Sequence, residues 1–260
     1  MSSEFLKVAS RAAEDAGAVL LEWFQGPPVS STDKGSSIVT EVDLAADRVI
    51  ADHLRRAFPE HRIFSEESDD KDYDSEFVWV VDPLDGTTNF VHRVARFCTS
   101  IGLLQNGKPI LGVGYEPMLQ EFFAAEVGSG ATRNGERIVP SNRDDISRAV
   151  VHIGRGSGSE AAERFGELLP PINRTVRTLR ATGATALALC YTACGRFDAH
   201  IGSHTFLYDG VAGAIIAREA GAAVSNFSGD EWNPPVGGHA DLLISSPRLH
   251  GQFLDLLNGV

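Results

Sequence analysis

Two carboxylates, Asp82 and Asp85, close a dry, β-branched run in the stretch WVVDPLDGTTNF, and glycine, two threonines and an asparagine follow them. Carboxylates this close together beside a buried run repel each other and raise each other's pKa unless positive charge sits between them. Hard divalent cations such as Mg²⁺ take oxygen ligands, usually one or two carboxylates together with water and a substrate phosphate. Gly86 lets the backbone approach a ligand closely, and the following TTNFVHR segment can open a helix whose free N–H groups favour an anion. Cation ligands and phosphate donors therefore fall within one short turn. The same residue types also build ordinary acidic surface turns, but the buried FVWVV approach argues against that reading. Spacing removes other phosphate motifs: the aspartates are not in D-x-D order, and neither G-x-x-x-x-G-K-[ST] nor an EF-hand loop is present.

The elements that must position these groups can be traced along the chain. Phe5, Val8, Ala9, Ala12, Ala16, Val19, Leu20 and Trp23 form a helical stripe over residues 3–25, stopped by Gly26-Pro27-Pro28. STDKGSSIV reads as a polar loop, and Thr40 with Asp43 has the spacing of a capping box opening a helix that runs to about Phe58. RIF is a short strand and Phe77 to Val81 a buried one. A strand ending at Asp82 puts its carboxylate at the sheet edge, where α/β proteins commonly bind ligands. Strands at 97–104, 109–115 and 121–126 follow, with Asn106-Gly107 and Asn134-Gly135 as tight-turn signals. Beyond about Asp145 strands and helices alternate, with a helix over 159–169 ended by Pro170-Pro171, a helix over 183–194, another over 209–220 and a closing helix after Pro247. The expected organisation is an N-terminal α+β subdomain (1–145) and a C-terminal α/β subdomain (146–260), tightly joined as one globular unit.

Composition narrows the function classes. The 260 residues carry 23 basic against 35 acidic side chains, a formal charge of −12, and no run of Lys or Arg. That balance disfavours nucleic acid and anionic membranes, so an acidic protein handling phosphate must take positive charge from elsewhere, and metal ions are the obvious source. No apolar run reaches spanning length, and the first residues carry acids where a signal peptide has a basic flank, which fits a cytoplasmic protein. Cys98, Cys190 and Cys194 sit in apolar surroundings, as buried thiols do. His92 and Arg93 read as a solvated helix face, and the tryptophans as packing residues.

WVVDPLDGTTNFVH closely resembles the first signature of the inositol monophosphatase family, Mg²⁺-dependent, lithium-sensitive phosphatases of small phosphate esters, and YDGVAGAIIAREAG resembles the second. TDKGSSIVTEVD, FSEES, TSIGLLQNGKPILGVGYEP, RNGERI and ATGATALALCYTACGRFDAH fall in the family's order. The resemblance implies a layered α-β-α-β-α sandwich and two to three Mg²⁺ ions held by Glu66, Asp82, the Leu84 carbonyl, Asp85 and Asp209. It further implies a water oriented and deprotonated by Thr87 with Glu66, Asp43 being hydrogen-bonded to the threonine hydroxyl. Gly86 and Thr88 would donate to phosphate oxygens, with Asp85, Gly183, Ala184, Thr185 and Asp209 also at the substrate. Family members are commonly dimers. On residues alone, Glu66 reads as a solvated acid, Asp209 as an N-cap, Thr87 as a helix cap and Lys34 as a solvated lysine.

Three positions depart from the family pattern. Gly202 stands where an acid contacts inositol hydroxyls, Tyr208 replaces a tryptophan and Val211 a small alanine. Phosphate hydrolysis is untouched by these changes. The small-molecule ester stays open between inositol monophosphate, sugar phosphates, fructose bisphosphate, histidinol phosphate and a nucleotide 3′-phosphate. His200 and His204 are nearby, though a lone histidine is more often structural. A regulatory or RNA-associated protein of the same fold and a metal-storage protein are the alternatives. The first asks for a basic patch, and the second has no use for both Thr87 and Thr88.

Overall fold

Ser3 opens the first helix, α1 (Glu4–Gln25), its side chain accepting from the Leu6 amide. Thr40 and Asp43 form the expected capping box at the start of α2 (Glu41–Ala57). The computed structural model describes residues 2–34, 37–67 and 74–259, except the side chains of Asp33, Lys34 and Ser37. Between the two helices lies a difference from the sequence reading. The polar segment is a hairpin of β1 (Ser31–Lys34) and β2 (Ser37–Thr40), with Ser31 opposite Thr40. Backbone pairing forms this hairpin without the alternating apolar face that would have announced it. The Lys34 side chain lies outside the described residues.

Seven strands form the first sheet in chain order: β3 (Arg62–Ser65), β4 (Phe77–Asp85), β5 (Cys98–Gln105), β6 (Lys108–Glu116), β7 (Glu121–Glu126), β8 (Gly130–Arg133) and β9 (Glu136–Arg137). Only the β3–β4 pair is parallel. β4 does not end at Asp82. It continues to Asp85 through an irregularity, with Asp82 opposite Ser100 and Asp85 opposite Cys98, and Pro83 sits inside that irregularity where a ladder donor is not needed. Both Asn-Gly turns have positive φ at both residues, as two-residue hairpins require.

The second sheet has the order β11 (Thr178–Arg180), β10 (Val150–Gly154), β12 (Ala199–Phe206), β14 (His239–Ser245), β13 (Ala223–Ser225). Helices α3 (Thr87–Val91), α4 (Ser159–Thr175), α5 (Thr185–Ala193), α6 (Leu207–Ala220) and α7 (His250–Asn258) complete the chain. α4 runs through Pro170 and Pro171 instead of stopping there. Each proline removes a bond to the carbonyl four residues earlier, and those carbonyls belong to Gly166 and Glu167, two exposed residues.

The layers follow from strand alternation. On β4, Trp79 and Val81 face α1 and α2, while Val78 and Val80 face α5 and α6. On β10 and β12, Val151, Ile153, Ala199 and Ile201 face α4 and α7. The result is the expected α-β-α-β-α sandwich, with α5 and α6 between the sheets. α6 lies close on the first sheet because Gly102 and Gly112 have no side chains: a Cβ on Gly102 would stand 2.5 Å from Val211, and one on Gly112 2.4 Å from the Ala212 carbonyl. Val211, larger than the family's usual alanine, therefore packs into room that Gly102 leaves. No helix among the described residues is long and apolar enough to cross a membrane.

Candidate metal and phosphate site

Parallel pairing sets Ser65 beside Val81, and the Glu66 amide donates to the Val81 carbonyl at 3.0 Å, so Glu66 leaves β3 next to Asp82. Asp82 is 1 % exposed and accepts from the Leu84 amide at 3.0 Å. Asp85 lies across the β4 irregularity, where Oδ1 accepts from the Thr185 amide (2.8 Å) and Oδ2 from the Leu187 amide (3.0 Å). It thus caps α5 from a distant part of the chain, compensating free N–H groups of the first turn. Asp209 is brought in by α6. It is not the N-cap, which is Phe206, but the third helical residue, whose carboxylate reaches back to the Phe206 backbone.

Asp82, Asp85 and Asp209 each present a carboxylate oxygen within 4.8 Å of the others. Burial, then the charges of Glu66, Asp85 and Asp209, hold Asp82 well above the ordinary carboxylate range. Burial pushes Asp85 up to about 6 against the restraining Leu187 and Thr185 amides. Asp209 is raised by burial and then by Glu66 and Asp85. The largest influences on Asp82, Asp85 and Asp209 are burial, neighbouring carboxylates and hydrogen bonds. An all-oxygen cluster of like charges, with Asp82 and Asp85 buried, fits a hard divalent cation.

Gly86 enters α3 with φ +95°, and a Cβ there would meet the Arg96 carbonyl at 2.9 Å and Ala184 at 3.2 Å. Since Gly86 is the N-cap, Thr87 is not a helix cap. Its hydroxyl lies 2.9 Å from Asp43 Oδ1 and 3.1 Å from the Leu84 carbonyl. Asp43 is buried and works on both sides, because its Oδ2 also accepts from the Thr40 amide at 2.8 Å. Burial raises the Asp43 carboxyl, and the Thr40 and Thr87 hydrogen bonds oppose that rise.

A cavity of about 420 Å³ opens over this cluster. Glu66, Asp82, Leu84, Asp85, Gly86, Thr87, Thr88, Gly183, Ala184, Thr185 and Asp209 all line it, and Asp43 reaches it through Thr87. The residues expected at the metal, the water and the phosphate are therefore at or one hydrogen bond from one cavity, whereas Gly202, Tyr208 and Val211 do not line it. Sequence reasoning missed Asn89, whose amide donates to the carbonyls of Arg96 (2.7 Å) and Thr182 (2.8 Å) and so ties the first signature to the Gly183 turn. It also missed His152 and Arg155 in the wall. Asn89 stood inside the motif, whereas nothing local distinguishes the other two. Arg93 is a correction as well: its guanidinium donates to the Phe24 and Gly26 carbonyls and closes the C-terminus of α1, while His92 is exposed as expected.

A profile of the inositol monophosphatase family matches residues 1–259. Inositol monophosphatase 2 of Solanum lycopersicum is 38 % identical, with 98 % of each chain covered. The Nus factor SuhB of Escherichia coli K12 is 37 % identical over 86 % of this chain and 85 % of its own. Among solved structures, the extragenic suppressor protein suhB of Bartonella henselae superposes with a TM-score of 0.91 at 30 % identity, covering 98 % of both chains.

Proposed function

The chain belongs to the inositol monophosphatase family, and from that premise we propose that it is a magnesium-dependent phosphomonoesterase hydrolysing a small phosphate ester with water and no covalent intermediate. The observation that carries this reading is the meeting of Asp82 and Asp85, from one strand, with Asp209, from a distant helix, at one cavity. These three, with Glu66 and the Leu84 carbonyl, would hold two to three Mg²⁺ ions. When bound, the cations supply neutralisation of the phosphate oxygens and make a water more acidic.

The chain's own residues orient the reactants. Thr87 gives its hydroxyl proton to Asp43 or the Leu84 carbonyl, which leaves its lone pairs to accept from the attacking water and point it at phosphorus. Glu66 receives the water's proton. Gly86 and Thr88 donate to phosphate oxygens, and the Gly183–Thr185 turn borders the alcohol portion. Asp43 is a positioning residue, since its Thr40 bonds lock the carboxylate that locks Thr87. By family likeness the reading extends to a lithium-sensitive homodimer. Light scattering and a lithium titration check those two points; a monomer indifferent to lithium rejects them.

The deciding assay is phosphate release from a panel of small phosphate esters with Mg²⁺ and then with EDTA. Release that stops on chelation and falls by orders of magnitude in Asp85→Asn supports the enzyme. Release indifferent to EDTA rejects the metal role. The name of the Escherichia coli relative raises a regulatory reading, which gains if no ester is turned over; the acidic composition and the ordered Thr87–Asp43 pair favour catalysis.

A further inference from the structure

Residues 181–184 join β11 to α5 outside any strand or helix, so other groups must satisfy their backbone. At Thr182 two side chains do so. Asn89 donates to its carbonyl at 2.8 Å. The His152 ring meets its amide and its hydroxyl, both at Nε2, at 3.1 and 2.9 Å. Gly183 follows with φ +74°, its Cβ position 3.0 Å from Asn89 Oδ1. Ala184 then takes the N-cap of α5, which has no capping side chain of its own. Asp85 supplies the cap instead, its two oxygens accepting from the Thr185 and Leu187 amides. The orientation of one carboxylate of the acidic cluster therefore depends on where this turn points the first amides of α5.

His152 is 1 % exposed and borders the cavity. Strand register sets it beside His200, and the rings stack with centroids 5.0 Å and Nδ1 atoms 2.9 Å apart. One amide assigns both tautomers. A backbone N–H can only donate, so His152 Nε2 is unprotonated. Its proton sits on Nδ1 and goes to His200 Nδ1, which leaves the His200 proton on Nε2. Burial keeps both rings neutral, with His152 pushed down to about 4 and His200 well below its ordinary value. The His200 Nε2–H has no hydrogen-bond partner among the described residues, and a buried unpaired donor is costly. An apolar ring at position 200 would stack on His152 without that cost. What His200 adds is an acceptor for the Nδ1 proton, and this keeps the bare Nε2 facing Thr182.

We propose that His152 is a positioning residue for the metal centre: seated on His200, it fixes the 181–184 turn so that the Thr185 and Leu187 amides keep Asp85 turned toward the cations. This rests on the magnesium-dependent reading. The coupling runs from His152 to Thr182, across Gly183 and Ala184 to Thr185, and from there to Asp85. A glycine at positive φ leaves such a path free to swing unless the residue before it is held, and His152 with Asn89 holds it on both its amide and its carbonyl.

Calorimetric titration of the metal-free protein with Mg²⁺, well below the unfolding temperature, tests this without turnover. His152→Phe keeps a stacking ring and removes the acceptor. Its Mg²⁺ affinity is expected to fall about tenfold, as when a hydrogen-bond partner behind a metal ligand is lost, while His152→Gln, whose amide oxygen can accept from Thr182, stays within about threefold of the parent. Val151→Ala, fully buried on the opposite face of β10, is the control for packing loss alone, with a lower Tm and unchanged Mg²⁺ affinity. Parent affinity in His152→Phe, a loss in His152→Gln as large as in His152→Phe, or an equal loss in Val151→Ala overturns the inference and leaves the metal site standing. Absence of Mg²⁺ uptake by the parent protein sinks the metal reading and the inference with it. If His152→Phe does not fold, Thr182→Val decides, since it removes only a hydroxyl from a half-exposed turn: affinity weakened by about threefold supports the inference, and parent affinity overturns it. Kinetics give the matching readout, a rise in half-saturating Mg²⁺ in His152→Phe with kcat at saturating Mg²⁺ nearly kept; a fall in kcat with half-saturating Mg²⁺ unmoved overturns the role.

Discussion

Removing metal should cost this protein stability, and the cost should grow with pH. The folded, metal-free chain holds the Asp85 proton up to about pH 6 against an ordinary value of 3.8. At about 1.4 kcal/mol per pH unit, ionising that carboxylate costs the folded state about 3 kcal/mol relative to the unfolded chain. Because the folded pKa is raised, this contribution to stability is fully present below about pH 4 and is lost as pH rises through about 6. A bound cation removes the loss. The rings of His152 and His200 have depressed pKa values and slope the other way, but they do so with and without metal, so the difference between the two conditions isolates the carboxylates. Metal at a hundred times its Kd adds about 2.7 kcal/mol, which at roughly 2–4 °C per kcal/mol for a chain of this size is a rise of about 5–11 °C. Calorimetric melting in Mg²⁺ and in EDTA should show that gap at about pH 8 and a much smaller one at about pH 5. A gap of equal size at both pH values, or none at about pH 8, refutes the reasoning.

Thr87→Ala should lower kcat on the order of 10²-fold while Thr87→Ser keeps most of it, read by steady-state kinetics; equal losses in the two would remove the hydroxyl from the reaction. Asp43→Asn should do double damage, because an amide offers one acceptor oxygen where the carboxylate serves both the Thr40 amide and the Thr87 hydroxyl; about 0.5–2 kcal/mol of cap stability and a fall in kcat are expected from urea unfolding and kinetics, and a variant unaffected in both contradicts the dual role. Gly102→Ala places a methyl 2.5 Å from Val211 and should cost about 1–3 kcal/mol and displace Asp209, while the double variant with Val211→Ala recovers most of both; additive losses would show that the two residues do not meet. We propose that residues 1–145 and 146–260 unfold together, since α6 from the second half covers the sheet of the first; two resolved calorimetric transitions would separate them.

Much of the fold was legible because its signals are local. The apolar stripe of α1, the Thr40–Asp43 spacing and the Asn-Gly turns each specify their element within a few residues. Asp82 and Asp85 were legible because they lie three residues apart in one motif, at the end of one strand. Asp209 and Glu66 were not, except through family likeness: the first depends on α6 settling over Gly102 and Gly112, the second on β3 pairing with β4. The capping assignments for Thr87 and Asp209 failed because Gly86 and Phe206 take the cap positions one and three residues earlier. The β1–β2 hairpin and the passage of α4 through its proline pair depend on backbone bonding and solvent exposure, which residue patterns do not record. Nothing local marks the His152–His200 pair, because parallel strands bring the two together from separate stretches of sequence.

The claim on which the account depends is that Asp82, Asp85 and Asp209 jointly hold divalent cations. Crystals soaked in Mn²⁺, a magnesium surrogate with a strong anomalous signal, test it directly. Anomalous peaks at roughly 2 Å from oxygens of all three carboxylates are the predicted result. Saturating Mn²⁺ with no peak in the cavity, or with peaks only at surface acids, would contradict it.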